Sequence, residues 1–288
     1  MKTWFITGAN GGLAYPMLEI LLERGDRVAA TVRKPYVLDE LQKKYGSRLW
    51  QANLDLTDSR AIKQAVSQAA EFFGTIDILV NNAAYGLFGA VEEVSDSQIE
   101  HNFFGSLRLA RAFMPYFRAR GGGHIVQISS EVGFLSNPSQ GLYSASKWAV
   151  ESVFETLAKE AAPFNIKLTL VEPGGIRTEF FAKHGLFGEE LDAYNDQSAR
   201  NFKRLYQNIL AKEVSERDLI PGDPLKMAKI IIQRVDKGNG ALRLTLGSDT
   251  YQNIKAALLS RLAELEGQKE LAYSVDADDV NMPYARDL

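Results

Sequence analysis

The stretch Trp4-Phe-Ile-Thr7-Gly8-Ala-Asn-Gly11-Gly12-Leu-Ala14 decides the fold. Consecutive bulky apolar residues predict a short buried strand, and the glycines after it predict a tight turn. An amphipathic helix then runs to about Arg24 and stops at Gly25. Arg27-Val-Ala-Ala-Thr-Val32 predicts a second strand. Strand, glycine turn, helix and strand within ~30 residues make a βαβ unit of the dinucleotide-binding kind. The glycines let backbone amides approach a pyrophosphate, and the helix N-terminus adds its positive end.

The alternation continues outward from that unit. Strands are expected at Leu49 to Leu54, Ile76 to Val80, His124 to Ser129, Ile166 to Val171 and Ala241 to Leu246. Helices are expected at Leu38 to Tyr45, from a Thr57 or Asp58 cap to Phe73 with Gly74 closing it, Ile99 to Arg118, Gly141 to Pro163, from Asp223-Pro224 onward, and from Asp249 or Thr250 to about Glu266. Strands that are apolar throughout and alternate with helices specify an α/β fold: a Rossmann-type, doubly wound parallel sheet of about seven strands, with helices on both faces. Residues 1–288 read as one domain. After Pro173 the pattern loosens: no strand is expected from Arg177 to Ser215, and residues 179–215 read as a substrate lid. Residues 269–288 have no clear period, and an ordered arm or a loose tail are both open.

Composition excludes several functions. The 288 residues carry a net charge of −3 with no basic stripe, which argues against nucleic acid as a partner. There are no cysteines, so thiol catalysis and cysteine-ligated zinc are out; a reducing, cytoplasmic setting is expected. His101, His124 and His184 are scattered without ligand spacing, so no metal is expected. No apolar run approaches the ~20 residues of a membrane span.

The chemistry centres on Tyr143-Ser-Ala-Ser-Lys147. Residues four apart share one helix face, so an ammonium can lie near a phenol and lower its pKa from ~10. A Tyr so tuned can pass a proton to or from a substrate oxygen. Ser130, ending the His124 strand, can hold that oxygen. Such pairs are common on solvated helix faces; what distinguishes this one is convergence. Gly8 to Gly12, Asp55, Asn81 to Ala84, Ser130 and Pro173 to Thr178 all follow strand ends, where an open parallel sheet binds its ligands.

Together these pieces resemble the short-chain dehydrogenase/reductase family: Thr7-Gly8-x-x-x-Gly12, Asp55, Asn81-Asn82-Ala83, Asn102, Ser130, Tyr143-x-x-x-Lys147 and Pro173-Gly174-x-x-x-Thr178. Asn82-Ala-Ala-Tyr-Gly-Leu-Phe-Gly and Glu172-Pro-Gly-Gly resemble its 17β-hydroxysteroid and retinol dehydrogenase-like branch. The resemblance implies catalysis by Ser130, Tyr143 and Lys147, with Asn102 holding a water that relays protons to Lys147. It implies cofactor contacts from Gly8, Asn10, Gly11, Gly12 and Leu13, and from Asp55, which meets the adenine, with Leu56. Asn82, Ala83, Pro173, Gly174, Ile176 and Thr178 belong to that set too, as do Tyr143 and Lys147, the lysine binding the nicotinamide ribose. Pairing of copies through the Tyr–Lys helix and its neighbour is implied as well.

The residues add three expectations. The second strand ends Arg33-Lys34 with no carboxylate at the turn, which favours NADP(H). Tyr85, Leu87, Phe88, Val132, Phe134, Phe180, Phe181 and Phe187 suggest an apolar substrate, a small hydrophobic carbonyl or alcohol. The chain also departs from the family pattern. Ala14 replaces the third glycine, Pro16 sits just inside the helix, and Ala84 replaces a glycine after Asn-Ala. The segment before Asn102 is about one helical turn short. The altered glycine turn supports an alternative reading, a catalytically silent nucleotide-binding sensor or scaffold.

Overall fold

Trp4 and Ile6 enter one hydrophobic core and Phe5 enters another, because alternate residues of strand β1 (Thr3–Thr7) face opposite sides of the sheet. All three are fully buried, so both faces of this strand are covered. The computed structural model describes residues 1–178, 185–195, 197–211, 215 and 219–277.

β1 is joined by β2 (Arg27–Val32), β3 (Leu49–Asn53), β4 (Ile78–Asn81), β6 (Gly123–Ile128), β7 (Ile166–Pro173) and β9 (Arg243–Leu246). They form one sheet in the order β3-β2-β1-β4-β6-β7-β9, every neighbouring pair parallel. Trp4 registers with Val28 on one side and Ile78 on the other. The order reverses between β1 and β4, which opens a crevice above their carboxyl ends.

One face is covered by α1 (Ala14–Glu23) and α8 (Pro224–Lys237), through Met17, Leu18, Leu21, Ile231 and Ile232. The other is covered by α3 (Ser59–Phe73), α5 (Ser106–Ala119) and α6 (Gly141–Ala161), through Ile62, Ala69, Phe113, Phe117 and Phe154. The expected punctuation is present. Asp58 caps α3 by accepting from the amides of Arg60 and Ala61, and Gly74 ends it in the left-handed conformation. Asp223 caps α8 ahead of Pro224. Among the described residues there are also the α-helices α2 (Asp39–Tyr45), α4 (Ser97–Ile99), α7 (Asn201–Leu210), α9 (Ser248–Glu266) and α10 (Lys269–Tyr273).

Two expectations are corrected. The segment after Pro173 does contain a strand, β8 (Gly185–Phe187), which pairs in parallel with β5 (Gly86–Phe88) as a second, two-stranded sheet. A three-residue strand is too short to show a period. The expected helix from Ile99 to Arg118 is not uniform either. Glu100–Gly105 forms a π-helical turn between α4 and α5. The wider turn buries His101 and Asn102 together, and π-turns of this kind recur at functional sites.

Candidate active site

The crevice is built at the switch point by Thr7 and Asn82. The Thr7 hydroxyl accepts from the amides of both Asn82 and Ala83 at 3.0 Å. The Asn82 side chain donates back to the Thr7 carbonyl at 2.9 Å. These bonds fix the ends of β1 and β4 against each other, and Gly8 sits in the gap. Gly8 has φ +65°, and a Cβ on it would stand 3.0 Å from Ala83 Cα, so only glycine fits. Gly12 has φ +58° and open space beside it. Ala14 is fully buried as the first residue of α1, and neither Ala14 nor Ala84 has a positive φ. Pro16 lies in the first turn, where its missing amide costs nothing. The departures from the family pattern at these three positions are therefore accommodated.

From this turn a cavity of about 530 Å³ runs across the sheet end. Gly8, Asn10, Gly11, Gly12, Leu13, Arg33 and Leu56 line one end. Asn82 and Ala83 line its middle, and Pro173, Gly174, Ile176 and Thr178 border it farther along. Ser130, Tyr143 and Lys147 face the same space, with Phe88 and Val132. Arg33 is exposed and makes no ion pair with a described residue. The nearest acid in sequence, Asp39, is turned away to accept from Gln51 at 2.9 Å. A turn in which Gly8 and Gly12 hold positive φ and Gly8 lies against Ala83, opening into this cavity, fits a dinucleotide.

Other expected residues lie off the cavity wall. Lys34 is exposed beyond it. Asp55 turns back to accept from the Thr57 amide and hydroxyl, both at 2.8 Å, as a local turn cap; its neighbours Leu54 and Leu56 face the cavity instead. Leu87 is buried, Tyr85 hydrogen-bonds Ser97, Phe134 stacks under Arg243, and Phe187 packs on Phe88. Asn102 braces the chain: its amide accepts from Tyr85 N at 3.1 Å and donates to Tyr85 O at 2.7 Å. Both side-chain atoms of Asn102 thus reach the Tyr85 backbone. Phe180 and Phe181 lie outside the described residues.

The electrostatics differ from expectation at one point. Tyr143 is half-buried, and desolvation pushes its pKa up to about 12, against a hydrogen bond with Ser130 that pulls it down. The expected lowering by Lys147 is not what the geometry gives. Lys147 is itself buried, which brings its ammonium down to about 8, and it donates to the Ile128 carbonyl at 3.0 Å. Burial is the largest cause for both groups; it outweighs the Ser130 hydrogen bond at Tyr143 and the charge of Glu151 at Lys147.

Several cavity residues escaped the sequence reading. His101 is buried beside Arg33 and held neutral, its pKa brought down to about 4 by burial and then by the Arg33 charge. Phe202, Leu205 and Ile209 come from one face of α7, and Leu219 and Ile220 follow it. Their helical spacing was visible, but nothing in the sequence placed α7 over Tyr143.

A glycine turn at the switch point, opening into the same space as Ser130, Tyr143 and Lys147, defines a dinucleotide-dependent oxidoreductase. The comparisons with known proteins narrow this. The model of the short chain dehydrogenase family matches residues 2–186. An oxidoreductase of Botryotinia fuckeliana, BOA17, is 35% identical over 276 residues, 94% of this chain and 98% of its own. The 3-ketodihydrosphingosine reductase of Bacteroides thetaiotaomicron is 36% identical over 246 residues, 84% of this chain and 86% of its own. A short-chain dehydrogenase structure from Streptomyces avermitilis superposes with a TM-score of 0.86 at 36% identity, covering 96% of this chain and all of that one. Another, from Burkholderia cenocepacia and solved with NADP, has a TM-score of 0.69 at 26% identity, covering 93% and 98%. The chain belongs to the short-chain dehydrogenase/reductase family.

Proposed function

We propose that this protein is an NADP(H)-dependent carbonyl reductase, or in reverse a secondary-alcohol dehydrogenase, for apolar substrates. The observation that carries the reading is that Ser130, Tyr143 and Lys147 line the cavity that begins at Gly8 to Leu13. Those turn residues, with Asn82, Ala83, Pro173, Gly174, Ile176 and Thr178, would hold the dinucleotide. Bound there, it supplies the hydride.

The remaining work falls to this chain. The Ser130 and Tyr143 hydroxyls, already hydrogen-bonded to each other, are the donors available to a substrate oxygen. A phenol raised to about 12 is fully protonated at neutral pH, the state that a proton donor for carbonyl reduction needs. As hydride arrives at carbon, negative charge builds on oxygen; Tyr143 delivers its proton there, and Ser130 keeps its hydrogen bond. The Lys147 ammonium, held in a dry site, stabilises that charge. Asn102 keeps the backbone at Tyr85 fixed.

Arg33 supports the choice of NADP(H), since a planar fork without a carboxylate partner suits a 2′-phosphate. Phe88, Val132, Phe202, Leu205 and Ile209 support an apolar substrate, which binds by area removed from water. The Bacteroides relative is by name a reductase of a keto compound, in agreement with the reductive direction. The test is NADPH fluorescence on mixing, followed by turnover of a ketone panel. Turnover of an apolar ketone is expected; cofactor binding with no turnover would favour a silent sensor instead.

A further inference from the structure

The wall of the cavity opposite the sheet is held by an ion pair that the chemistry above does not use. Glu93 follows β5, and Arg200 stands immediately before α7. Their side chains are 1% and 7% exposed. The Arg200 fork donates to both Glu93 oxygens, at 2.7 Å and 2.5 Å. The carboxylate also accepts from the amides of Ala90 at 2.8 Å and Leu191 at 2.7 Å, and Arg200 donates to the Leu191 carbonyl at 3.0 Å. Both carboxylate oxygens and both terminal nitrogens of the guanidinium are thus engaged inside the protein, and only the Arg200 Nε is left without a partner among the described residues. Paired charges with further hydrogen bonds are the condition under which a buried pair persists.

This pair joins parts of the chain 107 residues apart. It is reinforced beside the pair by β5 and β8, and by the Gly188 amide donating to the Phe88 carbonyl at 2.9 Å. A Cβ on Gly188 would overlap the Glu93 carbonyl, so the two loops meet at backbone contact. From this junction the packing leads to the chemistry. Phe202, two residues past Arg200, stacks on Phe88 with ring centroids 4.5 Å apart. Phe88 meets the Tyr143 ring edge-on at 5.8 Å.

We propose that the Glu93–Arg200 pair is a specificity-determining clasp: it sets where α7 stands over Tyr143, and so which apolar bulk a substrate can carry beside its carbonyl. Glu93 and Arg200 are positioning residues, since neither lines the catalytic cavity. The inference rests on the carbonyl-reductase reading. A neutral side chain at position 200 leaves the Glu93 carboxylate buried without its counter-charge. The junction then loosens, and α7 carries Phe202, Leu205 and Ile209 away from their places. A large apolar substrate loses its wall, whereas a small one held by Ser130 and Tyr143 does not.

The experiment compares the full-length enzyme with Arg200→Met and Arg200→Lys, saturated with NADPH, on a small ketone and a long-chain apolar ketone. Hydrogen exchange is read alongside. For Arg200→Met, KM for the long-chain ketone is expected to rise about tenfold with kcat within about threefold, the signature of lost ground-state binding. Its kcat/KM for the small ketone should stay within about twofold of the unmutated enzyme. Arg200→Lys keeps the charge but not the fork and should fall between them, which preserves the test if Arg200→Met does not fold. Exchange should quicken in residues 86–94 and 197–209 and not in β1 or β4. Equal losses for both ketones would reduce the pair to a general structural role and overturn the proposal, as would unchanged KM for both. If the unmutated enzyme reduces neither ketone, the carbonyl-reductase reading fails and exchange decides the clasp: lost protection in those two segments supports it, and retained protection overturns it.

Discussion

The Lys147 ammonium stands 5.9 Å from the centroid of the Tyr143 ring and gives its hydrogen bond to the Ile128 carbonyl 3.0 Å away. The lysine is thus anchored to the end of β6, the strand that leads into Ser130, and faces the cavity from that anchor. Burial brings its pKa down to about 8, against the opposing charge of Glu151. The cation is therefore complete only below that value. The account predicts that kcat/KM for carbonyl reduction falls as pH rises through about 8 and that Lys147→Ala loses both NADPH affinity and rate, the latter by ~100-fold or more. A flat alkaline profile, or a variant impaired in only one of the two, would contradict it.

On the proposed reading, Arg33 selects the cofactor. Losing a charge-assisted contact costs about 1.5–3 kcal/mol, so Arg33→Ala should weaken NADPH binding by ~10- to 100-fold and leave NADH nearly unchanged. Titration of both cofactors against both proteins measures this. Tighter binding of NADH than of NADPH by the unmutated protein would remove the assignment.

On the proposed reading, the lining of the cavity selects the substrate. Phe88, Val132, Phe202 and Leu205 offer apolar area and few hydrogen-bond partners. Bulky apolar ketones or alcohols should therefore show higher specificity constants than sugars or small acids. A kinetic screen headed by a sugar would reverse this conclusion.

A buried carboxyl behind the site makes stability depend on pH. Burial raises Glu172 to about 7; a hydrogen bond from Thr245 opposes this and the like charge of Glu151 adds to it. In the unfolded chain the group titrates near 4.5. Between those values the folded protein holds the extra proton, so its contribution is complete below 4.5 and is lost as pH rises through about 7. Glu172→Gln removes that loss. The difference in Tm, variant minus unmutated protein, should grow from pH 4.5 to above 7. A difference that stays constant with pH would show that Glu172 does not titrate in this window.

Much of this architecture was legible in the sequence because it rests on local signals. Mostly apolar runs marked the seven strands, Thr57 or Asp58 and Gly74 marked the ends of α3, and positions following strand ends marked the site. What was not legible depends on distant partners. Gly86-Leu-Phe88 and Gly185-Leu-Phe187 are the same tripeptide, and their pairing follows from where two loops meet. Asp55 matched its motif, and the motif did not show that Thr57, two residues on, donates to its Oδ1. The spacing of Tyr143 and Lys147 indicated a shared helix face. It carried no information about the desolvation that governs both pKa values, nor about the Ile128 carbonyl that takes the lysine's hydrogen bond.

The most direct test of the account is the rate of NADPH oxidation with a bulky apolar ketone by the unmutated protein and by Tyr143→Phe, with NADPH binding measured on both. The phenylalanine variant lacks only the transferable proton. It should bind NADPH within about twofold of the unmutated protein and retain well under about a tenth of its rate. A variant that keeps more than about a tenth of the rate would contradict Tyr143 as the proton donor.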